Sequence, residues 1–135
     1  MAKTLVVDAN LLFRSVVPGP DQARIRSLVL GWSREGCALC APDLWRYEPN
    51  YGLCKAVHLG SLTIAEARRA LALLDRLDIG SVAPSAEQAM LALDWTVRLK
   101  RAAAYDSYYL ALAESLQCEL WTADQHLRNA ANRPW

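Results

Sequence analysis

The chain switches repeatedly between two hydrophobic periods. Short β-branched or continuously apolar runs alternate with longer stretches whose apolar residues recur every three or four positions. "TLVV", Thr4 to Val7, is the first such run and stops at Asp8. "CALCAP", closed by Pro42, then "IGSVA", then Leu120 to Thr122 are the other strand candidates. Between them the spacing is helical: "LLFRSVV" up to the break at "PGP", the stretch after Asp21 in which Ile25, Leu28, Val29 and Trp32 share a face, and Leu44 to His58. Thr63 with Glu66 has capping-box spacing and opens a helix to about Leu77; Ser85 with Gln88 repeats it for a helix to about Arg101. Tyr105 to Leu116 is helical, and a short helix over Asp124 to Ala130 is expected after the last strand.

This alternation predicts an α/β fold, with a short central parallel sheet flanked by helices. In such sheets the functional crevice lies outside the carboxyl ends of the strands. Asp8 and Asp124 each follow a predicted strand within two residues, and Asp106 opens a helix. Carboxylates far apart in sequence are therefore expected to meet on one rim.

With 135 residues, 53% of them apolar, the chain can build one sizeable core and is too short for two ordinary domains, so a single domain over residues 1–135 is expected. Fifteen basic against 14 acidic side chains give a net charge of +1, so any nucleic-acid footprint must be local. No apolar run reaches the roughly 18–20 residues that span a bilayer, and Asp8 follows Met1 to Val7 too soon for a secretory leader. A cytoplasmic location without membrane attachment is the expectation, with Cys37, Cys40, Cys54 and Cys118 as reduced thiols. Cys37, Cys40, Cys54 and His58 have a spacing that resembles a zinc site, but "CALCAP" lacks a turn glycine and reads as core strand, so buried thiols are expected. Trp32, Trp45, Trp95 and Trp121 fall on apolar faces and are expected in the core, whereas Trp135 is a candidate for stacking on a base or for a dimer contact.

Most acids explain themselves locally. Asp21 and Asp43 suit helix starts; Asp75, Asp78, Asp94, Glu35, Glu66, Glu87, Glu114 and Glu119 suit solvated helix or edge surface. Asp106 and Asp124 taken singly also fit as charges at helix N-termini. Asp8 does not, because it sits between an apolar strand and the apolar "LLF", where an uncompensated carboxylate costs several kcal/mol. Glu48 lies in "WRYEPNYGL", directly before a proline that kinks or starts the helix, and a carboxylate at that break can point to the strand rim. A solvent cation would compensate all four acids, and hard oxygen ligands without thiolate or imidazole suit Mg²⁺ or Mn²⁺.

"VVDANLL", the glutamate of "WRYEPNYGL" and "YDSYYLALAESLQCELWTAD" together resemble the PIN-domain ribonucleases, and in size and spacing the VapC-type toxins of bacterial toxin–antitoxin pairs. The resemblance spans nearly the whole chain. Its most specific part fixes Tyr105, Asp106, Tyr109, Ala111, Ala113, Thr122 and Asp124 together. It implies a PIN-like fold and a catalytic, metal-binding quartet of Asp8, Glu48, Asp106 and Asp124, with Asn10 and Thr122 as supporting polar residues. It further implies one or two Mg²⁺ or Mn²⁺ ions and hydrolysis of single-stranded RNA to 5′-phosphate and 3′-hydroxyl ends. The implied partners are a cognate antitoxin whose tail occludes the cleft and a second copy in a homodimer formed through the helices. Two positions depart from the family pattern: Tyr51 stands where an asparagine commonly follows the glutamate by three, with Asn50 one place earlier, and Gln117 and Cys118 occupy a turn that tends to carry glycine.

Arg14, Arg98, Lys100 and Arg101 are candidate RNA phosphate contacts, with solvated helix ends as the alternative. An antitoxin or second copy would suit an exposed apolar face on Leu62 to Leu77. Two other functions compete. A catalytically idle PIN-fold module that binds RNA or protein has no use for four acids facing a polyanion. A phosphoacceptor receiver domain needs a lysine on a late strand, and the only lysines are Lys3, Lys55 and Lys100.

Overall fold

A computed structural model describes residues 3–100 and 105–124. The four strands are β1 (Thr4–Val7), β2 (Ala38–Pro42), β3 (Gly80–Val82) and β4 (Glu119–Trp121). The helices are α1 (Ala9–Val16), α2 (Gln22–Arg34), α3 (Tyr47–His58), α4 (Ile64–Asp75), α5 (Ala86–Arg98) and α6 (Tyr105–Leu116), with a 3-10 turn at Asp43–Arg46. All strand pairs are parallel, in the order β3-β2-β1-β4. β1 is central and its Leu5, Val6 and Val7 are fully buried, as a strand covered on both faces must be.

That order positions the site. The chain leaves β1 for β2 on one side and returns to β4 on the other, so the topological switch lies between β1 and β4. Asp8 leaves the end of β1 and Thr122 to Asp124 leave the end of β4, with the Asp8 amide donating to the Trp121 carbonyl at 2.9 Å. The core beneath joins Leu5, Leu12, Leu53, Tyr109 and Leu112, while Trp95 and Leu110 form a smaller cluster where α5 packs on α6.

Local sequence signals explain most element boundaries. Thr63 makes the full capping box, accepting from the Glu66 amide at 3.1 Å while Glu66 accepts from the Thr63 amide at 2.9 Å. Ser85 achieves half of one, accepting from the Gln88 amide at 3.1 Å. Asp21 precedes α2 without capping it: its backbone is already helical, and its carboxylate pairs with Arg24 at 3.3 Å and Arg14 at 3.5 Å instead. Helix α5 stops at Arg98, short of Arg101, because Lys100 turns the backbone to a φ of 57°.

Three expectations are corrected. β4 begins one residue early, at Glu119. Trp121 is half exposed because β4 is an edge strand; its ring meets Trp32 edge-on at 5.0 Å and its Nε1 donates to Glu119. Cys54 is exposed on the outer side of α3, its Sγ 3.8 Å from Asn50 Oδ1, whereas Cys40 is buried and its thiol is pushed up to about 11 by burial. The expected helix after Asp124, together with Arg101 and Trp135, lies outside the described residues. No helix among the described residues is long and apolar enough to cross a membrane.

Helices α1 and α3 approach closely at Gly52, where an added Cβ would lie 2.9 Å from Phe13 Cε2. Gly52→Ala is expected to change the melting temperature little, because the helix propensity gained by alanine, about 1 kcal/mol, offsets the cost of moving the half-buried Phe13 ring. The same clash should displace the Phe13 ring, which forms part of the cleft wall described below.

Candidate active site

Asp8 is the N-cap of α1, which places its carboxylate directly over the end of β1. Its extended backbone lets Oδ1 accept from the Asn10 amide at 3.2 Å. Oδ2 accepts from Thr122 Oγ1 at 2.7 Å, and the same Thr122 oxygen accepts from the Asp124 amide at 3.0 Å. One hydroxyl thus ties the ends of β1 and β4 together. Asp8 is only 3% exposed. Burial raises its pKa above the usual carboxylate range; the bonds from Thr122 and Asn10 oppose the rise, and the charges of Asp106 and Asp124 add to it.

Glu48 reaches the rim from the first turn of α3, where Pro49 is tolerated because its missing N–H lies among groups without an intrahelical partner. The 3-10 turn at Asp43–Arg46 carries the chain from β2 to this position. Tyr109, fully buried in α6, donates its hydroxyl to Glu48 Oε1 at 2.9 Å. Burial pushes the Glu48 carboxyl up to about 7, against the Tyr109 bond and with the help of the Asp8 and Asp106 charges. The Tyr109 phenol is itself held far above its ordinary value by burial and by the Glu48 and Asp8 charges, so it stays a donor.

Asp106 lies in the first turn of α6, and Asp124 follows β4 after two residues, both half-buried. Asp8 is the common neighbour of the quartet. It feels the charges of Asp106 and Asp124, and Glu48 feels those of Asp8 and Asp106. No group of three or more His, Cys, Asp or Glu side chains among the described residues is gathered tightly enough to enclose an ion. The donor set nevertheless fits a hard dication: oxygen ligands only, and carboxylates whose pKa values are raised first by burial and further by one another's charges, both of which a cation would offset.

Beside the quartet a cleft of about 320 Å³ is lined by Ala9, Asn10, Arg14, Glu48 and Gly52, with Phe13 and Pro49. Arg14 therefore borders the rim. Arg98 lies over the Trp95 ring at 4.4 Å, on the face where α5 packs on α6. On α4, Ile64 and Leu71 are exposed with the charged Arg68 between them on the same face, so the expected continuous apolar face is interrupted, while Ala67, Ala70 and Leu74 face the core. The zinc spacing gathers no site among the described residues, since Cys40 lies buried in β2 and Cys54 faces outward on α3.

Tyr109 supports the site in a way that only the structure reveals, although the sequence carries a hint. A tyrosine hydroxyl inside the apolar run "YYLALA" needs a buried acceptor. Tyr109→Phe is expected to keep the fold and lower the activity of the site roughly 10–100-fold, as removal of a ligand's supporting bond does. A thermal melt run beside the activity assay separates the two effects.

A family model described as the PIN domain matches residues 5–133. No curated protein sequence matches the chain. Among solved structures, VapBC2 from Rickettsia felis, bound to a DNA fragment from its promoter, aligns with a TM-score of 0.70 at 12% identity, over 97% of this chain and 96% of that one. VapC20 of Mycobacterium tuberculosis, a toxin that cleaves the sarcin–ricin loop, aligns with a TM-score of 0.64 at 13% identity, over 89% of this chain and 91% of that one.

Proposed function

The chain belongs to the PIN-domain family, and we propose that it is a metal-dependent endoribonuclease, the toxin of a toxin–antitoxin pair. The observation that carries this reading is the convergence of Asp8, Glu48, Asp106 and Asp124 from four separate elements on the rim at the sheet's switch point. A bound Mg²⁺ or Mn²⁺ would supply Lewis-acid stabilisation of phosphodiester oxygens and a water of lowered pKa. Asp8, Glu48, Asp106 and Asp124 would hold it.

The chain's own groups do the rest. Thr122 and Asn10 fix both oxygens of Asp8, so the central ligand needs no reorganisation when substrate arrives. Tyr109 fixes one oxygen of Glu48 and leaves the other free to face the rim. Arg14 borders the cleft and suits a substrate phosphate.

The likeness to a toxin–antitoxin assembly supports a cognate antitoxin as partner, and the exposed Ile64 and Leu71 suit an apolar contact with it or with a second copy. A catalytically idle PIN-fold module is the alternative, favoured by the loose gathering of the carboxylates. The test is cleavage of a labelled mixed RNA pool in Mg²⁺ or Mn²⁺ and in EDTA. Metal-dependent cutting to 5′-phosphate and 3′-hydroxyl ends is expected. RNA binding without cutting, by folded protein freed of antitoxin, would select the idle module.

A further inference from the structure

Among the described residues the most exposed aromatic side chains all adjoin quartet members. Tyr47 is 76% exposed and directly precedes Glu48, Tyr51 is 72% exposed and follows it by three, and Tyr105 is 69% exposed and directly precedes Asp106. Tyr47 and Tyr51 are four residues apart and share one face of α3, with exposed Lys55 one turn further on. Glu48 and Gly52, also four apart, form the neighbouring face and line the cleft. Exposed aromatic residues therefore flank both Glu48 and Asp106 along the chain.

We propose that Tyr47 and Tyr51, with Tyr105 beside Asp106, form a stacking platform for unpaired bases flanking the phosphodiester held at the rim. The inference rests on the nuclease reading for that phosphodiester and adds the residues that select single-stranded RNA. Three features favour nucleic acid over a protein partner. The rings are interleaved with exposed polar residues, Asn50, Cys54, Lys55 and His58, and do not form a continuous apolar face. Lys55 on the same helix and Arg14 on the cleft wall, the latter paired with Asp21 at 3.5 Å and half exposed, are cations suited to a phosphate backbone. Every base presents a π-face, so stacking tolerates sequence while requiring that the base be unpaired.

The test measures binding of a fluorescently labelled single-stranded RNA by anisotropy, with all proteins in an Asp8→Asn background so that nothing is cut. Tyr51→Ala and Tyr47→Ala should each weaken binding roughly tenfold, and Tyr51→Phe should retain it. An RNA carrying a run of abasic sites should bind the parent weakly and lose little more with Tyr51→Ala, since the ring then has no base to stack on. The rings are exposed, so unchanged melting curves should accompany all three variants. Parent-like RNA affinity in the Tyr47→Ala, Tyr51→Ala double variant would overturn the proposal. So would a loss confined to self-association or antitoxin binding, which would assign the rings to a protein contact. Base-dependent binding without cleavage by the unmutated quartet would sink the nuclease reading and leave the platform standing; cleavage with base-independent binding would do the reverse.

Discussion

Asp8→Asn is expected to lower RNA cleavage by at least roughly 10²–10³-fold while leaving the fold as stable as the parent or slightly more so. The two effects have one cause. Asp8 is the carboxylate that the rest of the quartet shares, so removing its charge removes the centre of the site. The same charge is buried and repelled by its neighbours, so the fold bears a cost for keeping it. Asparagine is nearly isosteric and a good N-cap: its Oδ1 can still accept from the Asn10 amide, and its Nδ2 can donate to Thr122 Oγ1. Equal or higher melting temperature with lost cleavage supports the account. Lost cleavage with a collapsed melting curve would mean that the carboxylate is structural.

The second large effect is on stability, and its sign depends on whether a dication is present. Glu48 has a folded pKa of about 7 against an ordinary 4.5, so between those values the folded state binds more protons than the unfolded one. The contribution of this group to the metal-free protein should therefore be full at and below pH 4.5, fall as pH rises towards 7, and level off above it. Burial raises Asp8 in the same direction and adds to the loss. Mg²⁺ or Mn²⁺ should reverse the trend, because the ion replaces the proton and binds best where the carboxylates are ionised. At a hundredfold excess over its dissociation constant the ion stabilises the fold by about 2.7 kcal/mol, a shift of several degrees in a domain of this size. Melting curves with and without metal from pH 5 to pH 8 check this, and Glu48→Gln should flatten the metal-free profile.

The elements that the sequence foretold are those whose signals are local. β1 ends at Asp8 as the β-branched run requires, α6 spans Tyr105 to Leu116, and the Thr63 capping box forms in full. Errors arose where tertiary contacts decide. Asp21 has the identity of an N-cap, but two arginines draw its carboxylate away. Trp121 has the hydrophobicity of a core residue, but nothing in the chain's periodicity says that β4 will be an edge. Leu44 to His58 has helical spacing throughout, yet its first turn is 3-10 and α3 begins only at Tyr47.

The candidate site was legible through its acids and much less so through what holds them. Asp8 stood out because a carboxylate between two apolar segments needs compensation, and strand-end placement brought Asp124 to the same rim. The bond from Tyr109 to Glu48 joins residues 61 positions apart, and the contact between Phe13 and Gly52 depends on how closely α1 meets α3. A single sequence can signal that the Tyr109 hydroxyl needs an acceptor, but not that Glu48 supplies it. Both pairings follow only once the sheet order is known.

The central claim is that the quartet forms one divalent-cation site around Asp8. The most direct measurement is anomalous scattering from a crystal soaked in Mn²⁺. The account predicts a strong peak in coordination distance of Asp8 and of at least one of Asp106 and Asp124, absent from a crystal of Asp8→Asn. A fully occupied peak elsewhere on the protein, with none at the rim, would contradict it.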